Sequence, residues 1–155
     1  VVIGQFGGLS SISRSLSRAL RDGGATVMST DEYDAGSQAA AANRFGASVY
    51  IGFEARSDVR SMVCYFAVPT FESVGGRTLA SRAVDELRPV LAAPPELHGM
   101  RLPVLRETRM PAVLCSLGPV RAVVDATDEI TERLVAAIDA WATSPMTDRD
   151  PPNHP

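Results

Sequence analysis

The sequence predicts an α/β fold: a three-layer sandwich in which a mostly parallel, roughly six-stranded twisted sheet is flanked by helices. Short apolar runs rich in β-branched residues alternate along the chain with segments of helical period. A parallel pair of strands needs a crossover connection, which a helix usually supplies. The 155 residues, 45% apolar and 21% charged, suit one globular domain with its own core.

Val1 to Phe6 reads as a buried strand that stops at Gly7-Gly8. A helix over Ser11 to Asp22 follows, with Ile12, Leu16, Ala19 and Leu20 on one stripe and Gly23-Gly24 closing it. Residues 25–30 form a second strand, 36–47 an alanine-rich helix ending at Gly46, and 48–54 a third strand of β-branched and aromatic residues. Residues 61–68 are a fourth strand. The run from Gly75 to Leu91 carries Leu79, Ala83, Val84, Leu87 and Val90 at helical spacing, with Pro94-Pro95 marking the next loop. A strand pair is expected at Leu102–Arg106 and Ala112–Leu117. The last helix starts near Thr127, places Asp128 and Glu129 in its first turn, and buries Ile130, Leu134, Ile138 and Trp141. The domain is thus expected over residues 1–142, and 143–155, with four prolines and little to bury, as a disordered tail. The chain opens on Val1 inside a strand-like segment with no signal peptide, which reads as an excerpt of a longer protein.

Composition excludes several function classes. Net charge is −3 and basic residues are scattered, so there is no electrostatic footprint for nucleic acid or an anionic membrane. No apolar run is long enough to span a bilayer. All fifteen basic residues are arginine, a bias that fits a GC-rich genome. Cys64 and Cys115 each sit inside an apolar run and read as buried free thiols.

In a largely parallel sheet, chemistry gathers beyond the carboxyl ends of the strands. The first end, "GQFGGLSS", matches neither a dinucleotide nor a P-loop fingerprint. The third offers Glu54, able to serve as a base or a cation ligand, or to pair with Arg56 in solvent. The last offers Ser116, which needs a base to become a nucleophile. The two histidines, His98 and His154, lie in a loop and in the tail. Arg101, Arg106 and Arg109 could clamp a carboxylate or phosphate, or pair on the surface with Glu96 and Glu107.

Several stretches together resemble the zinc-dependent N-acetylmuramoyl-L-alanine amidases. "AANRFGASVYIGFEA" (41–55) is similar to "ANxxGADLFISIHAN", and "VLRETRMPAVLCSLG" (104–118) to "VLRxTxMPAVLVELG". "LSRALRDGGATVMSTDEYD" (16–34) resembles the helix and strand ending in "G-x-x-V-x-x-T-R-x-x-D", and "VVIGQFGG" stands where the family has "VVIDPGHGG". The resemblance implies the amidase/phosphorylase-like fold over nearly all of 1–141. It also implies a zinc held by two histidines and a glutamate, with a further glutamate as general base and acid. The matching positions here are Phe6, Ser11, Glu54 and Ser116, none of the expected type.

The expectation is therefore a domain without zinc, cofactor or catalytic residues: a pseudoenzyme that binds or regulates in cell-wall metabolism. Glu54, Arg106 and Arg109 are its candidate binding residues, and a peptidoglycan fragment or a cell-wall enzyme or regulator its partner. Regulatory inactive relatives of the family occur among actinobacteria, and either the cell envelope or the cytoplasmic face of wall synthesis would be a fitting location. Two rivals stand beside this reading. One is a hydrolase rebuilt on Glu54 with Ser116 or on a cation other than zinc; the other is a structural module packing on another part of the parent protein.

Overall fold

A computed structural model describes residues 1–144. Strand β1 (Val2–Gln5) leads through Gly7 and Gly8, both at positive φ (114° and 80°), into helix α1 (Ser10–Asp22). Glycine alone reverses the chain this tightly without strain, and a Cβ on Gly8 would meet that of Ala55 at 2.6 Å. Helix α1 buries Ile12, Leu16 and Leu20, with Ser13 and Ser17 beside them. Strand β2 (Met28–Thr30) precedes α2 (Ala35–Phe45), which is capped by Asp34 accepting from Ser37 N at 2.7 Å and closed by left-handed Gly46.

Strands β3 (Tyr50–Ala55), β4 (Met62–Val68) and β5 (Phe71–Glu72) lead to α3 (Val74–Leu87), capped by Ser73. Strand β6 (Glu96–Met100), helix α4 (Pro103–Glu107), strand β7 (Ala112–Leu117) and helices α5 (Val120–Asp125) and α6 (Thr127–Thr143) complete the chain.

The strands run in the order β2-β1-β3-β7-β4, with β5 and β6 both paired to β4. Pairing is parallel except where β4 meets β7 and β5. Alternation sends Ile3, Ile51, Phe53, Val113, Cys115 and Leu117 to one face, in a core shared with α1, α3, α5 and α6. The other face carries Val2, Tyr50, Cys64, Ala112 and Leu114 beneath α2 and α4. Two cores on one sheet make the three layers predicted from the sequence.

One expected element is wrong in kind. Residues 102–106 are no strand: Pro103 stands at the first position of α4, where its fixed φ suits a helix and its missing N–H costs nothing. The strand lies just upstream, in "ELHGM", whose charge, histidine and glycine hide its β character. It is held by parallel pairing with Met62 to Phe66. Other differences are of boundary: β2 and β3 start later than expected and α3 ends at Leu87, with a turn carrying Val90 and Leu91 against the core. Elements β5 and α5 are too short to register as periodic patterns. Helix α6 includes Thr143, and the rest of the expected tail, 145–155, lies outside the described residues.

Both cysteines are free and buried, as the apolar runs around them predict. Burial pushes the Cys115 thiol up to about 12 and Cys64 up to about 11, and raises the Tyr50 phenol as well. The unfolded chain releases the thiol protons near pH 9, whereas the fold retains them. The stability these groups contribute is therefore complete below about pH 9 and lost as pH rises toward about 12. Urea midpoints measured from pH 8 to 11 should fall with rising pH, and the Cys115→Ala variant should fall less steeply.

Candidate functional site

The parallel register aligns the carboxyl ends of the central strands: Gln5 stands opposite Phe53, and Glu54 opposite Ser116. Alternation puts Glu54 and Ser116 on the α2–α4 side of the sheet, the same side as Tyr50 and Leu114. There Phe6, Ala35, Glu54, Leu102, Pro103, Val104 and Leu114 line an open pocket of about 170 Å³. Ligand sites commonly span roughly 300–1,000 Å³, so this one takes a single small group rather than a whole substrate. Helix α4, the element misread from the sequence, supplies one wall of it.

Among the described residues lining the pocket, Glu54 alone is charged. Its carboxylate is half-buried and makes no ion pair or hydrogen bond with any described residue. The expected pairing with Arg56 does not form. Beyond the end of β3 the chain bends back, and Arg56 instead takes Asp58 with both prongs of its fork, each at 3.0 Å. Burial raises the neighbouring Cys64 thiol, and the Glu54 charge adds to that rise.

Ser116 is 1% exposed and its hydroxyl has no hydrogen-bond partner. Such a group sacrifices hydration without return. Ser116→Ala is expected to stabilise the domain by about 1 kcal/mol, read as a rise of about 2–4 °C in midpoint by thermal unfolding.

On the same face of the sheet lies a satisfied polar node. Tyr50 Oη donates to Gln38 Oε1 at 2.6 Å, and Gln38 Nε2 donates to the carbonyls of Gln5 at 2.9 Å and Glu32 at 2.7 Å. Tyr50 and Gln38 are both fully buried. Gly4 and Gly52 make room, since a Cβ on either would collide with the Tyr50 hydroxyl. Sequence reasoning passed over Gln38 as one polar residue in an alanine-rich helix. Its place opposite two strand glycines is set by the tertiary structure, so no sequence signal marked it.

The other candidates lie elsewhere. Ser11 accepts a hydrogen bond from Thr127 Oγ1 at 3.3 Å. Arg106 pairs with Glu107 at 2.8 Å, the surface pairing foreseen for it, but Glu96 engages Arg60 and His98 rather than the arginine cluster. Arg106 and Arg109 line a separate groove with Phe66, Phe71 and Met110, while Arg101 is exposed. His98 sits on β6, away from the pocket lining.

No protein-family model and no curated protein matches the chain. Solved structures do. The N-acetylmuramyl-L-alanine amidase Ami1 from Mycobacterium smegmatis superposes with a TM-score of 0.74 at 13% identity, over 92% of this chain and 96% of that one. This is the amidase catalytic-domain fold. The catalytic domain of CwlV, an N-acetylmuramoyl-L-alanine amidase from Bacillus (Paenibacillus) polymyxa var. colistinus, gives 0.73 at 16% identity, covering 92% and 97%. The CwlD amidase from Clostridioides difficile, solved in complex with the GerS lipoprotein, gives 0.65 at 11%, covering 92% and 98%.

For an amidase fold, the donor set at these strand ends does not fit a zinc centre. It comprises one carboxylate, one buried hydroxyl and the Phe6 ring, whereas tetrahedral zinc takes three or four nitrogen, sulfur or carboxylate ligands. Among the described residues no three His, Cys, Asp or Glu side chains converge on one point. No helix among them is long and apolar enough to cross a membrane.

Proposed function

We propose that this amidase-fold domain is catalytically inactive and serves as a binding or regulatory module in cell-wall metabolism, recognising a peptidoglycan fragment or a cell-wall protein. The observation that carries the reading is the facing pair Glu54 and Ser116. Amide hydrolysis needs an activated nucleophile and a proton shuttle within hydrogen-bond reach of it. Here the shuttle's position holds a hydroxyl that is 1% exposed, and the one carboxylate nearby makes no ion pair or hydrogen bond with a described residue. A rebuilt hydrolase using Ser116 as nucleophile is opposed by the same burial, because a substrate carbonyl has no path to Ser116 Oγ. The likeness to peptidoglycan amidases supports the cell-wall setting, and the CwlD–GerS complex is a precedent for a partner protein on this fold.

The test combines metal analysis of purified domain with muropeptide incubation. Zinc well below one equivalent and no release of peptide over many hours are expected. Stoichiometric zinc with cleavage at the lactyl-alanine amide would overturn the reading.

A further inference from the structure

We infer that the pocket over Glu54 is a receptor for one primary ammonium group carried on a short aliphatic chain. Six apolar residues surround one carboxylate that makes no ion pair or hydrogen bond with a described residue, the Arg56 charge acting on it only at longer range. That combination selects a ligand. An anion would meet the Glu54 charge, and a wholly apolar group would desolvate the carboxylate without returning a partner. A hard metal ion would find one or two oxygen ligands of the six or more it demands. A guanidinium carries five donors in a rigid planar fork, so seating two of them on Glu54 would press others against the apolar lining rather than toward solvent. An ammonium group can give one proton to Glu54 and keep the others toward solvent at the half-open rim, while its stem lies on Phe6, Leu102 and Val104.

Size agrees with chemistry. The 170 Å³ of the pocket equals the liquid volume of about six waters, room for a four- or five-atom chain but not for a disaccharide. One wall is preformed: Pro103 fixes the start of α4, and Val104 and Leu114 beside it are buried. The inference rests on the reading that no metal claims Glu54. It goes further in naming what the Glu54 carboxylate recognises, either a free alkylamine or the lysine-type side chain of a peptide.

The experiment is a titration of the ¹⁵N-labelled domain with n-butylammonium chloride at constant ionic strength, with n-butanol as the neutral isostere. Saturable shifts should appear at the amides of Phe6, Ala35 and Glu54. Butanol should bind at least tenfold more weakly, and Glu54→Gln should weaken butylammonium at least tenfold while leaving α6 resonances in place. Ala35→Leu, which fills the pocket, should abolish binding of both. The two sources separate by competition: Nα-acetyl-lysine amide displaces butylammonium if peptide side chains enter, and fails to if the rim admits only free amines. Equal binding by butanol, or affinity unchanged in Glu54→Gln, overturns the assignment. Zinc-dependent cleavage would sink the inactive reading whatever the titration gives, whereas a zinc-free, inactive domain that ignores butylammonium refutes only the pocket's ligand.

Discussion

Replacing Gln38 by leucine is expected to destabilise the domain by about 3–5 kcal/mol, although the two side chains are similar in size. The change strands the fully buried Tyr50 hydroxyl and removes the donor shared by the Gln5 and Glu32 carbonyls. Each buried group left unpaired costs about 1–3 kcal/mol. Thermal unfolding should show a midpoint lower by roughly 6–20 °C for a chain of this size. Tyr50→Phe alone should cost less, and the double variant should be more stable than the sum of the single losses predicts, because the partners belong to one network. A loss under about 1 kcal/mol for Gln38→Leu would mean that the node does not anchor this face of the sheet.

Ser116→Glu introduces the residue type that the amidase resemblance places there, and it is expected to destabilise without conferring zinc-dependent hydrolysis. The position is 1% exposed and faces Glu54 across neighbouring strands, which lie about 4.8 Å apart. Desolvation and the Glu54 charge both raise the introduced carboxyl's pKa. A rise of about 2–4 units corresponds to about 3–5 kcal/mol lost at neutral pH. The sign fixes the pH dependence: the unfolded carboxyl ionises above about 4.3, so the penalty grows above that pH and fades below it. Denaturation of the two proteins at pH 4 and pH 7 measures this, since their stabilities should converge in acid. Muropeptide cleavage by the variant with added zinc would show that one carboxylate suffices to rebuild the site.

Periodicity made most of the fold legible. Helix α1 with its Ile12–Leu16–Leu20 stripe and β7 with its continuous apolar run were readable because each buries what its pattern displays. Strand β6 and helix α4 were not, because their signals contradict their surroundings. "ELHGM" is a poor strand that pairs only because β4 offers an edge, and "PVLRE" is apolar enough to pass for a strand until Pro103 is weighed. At the site, residue identity showed how the strand ends differ from the donor set a zinc amidase uses, but spacing along the chain showed nothing of what faces what. Glu54 and Arg56 are neighbours in sequence and natural partners in charge, yet the bend after β3 hands the arginine to Asp58.

The chain's residues by themselves determined the α/β class, the two buried thiols and the mismatch between the strand ends and a zinc amidase, since apolar period and side-chain chemistry are local properties. Tertiary structure alone decided that Glu54 faces Ser116, that the Ser116 hydroxyl is entombed, and that α4 walls an apolar pocket around a lone carboxylate. Those facts arise where strands distant in sequence come into register, and the register is set by the whole sheet packing at once, which no segment encodes alone.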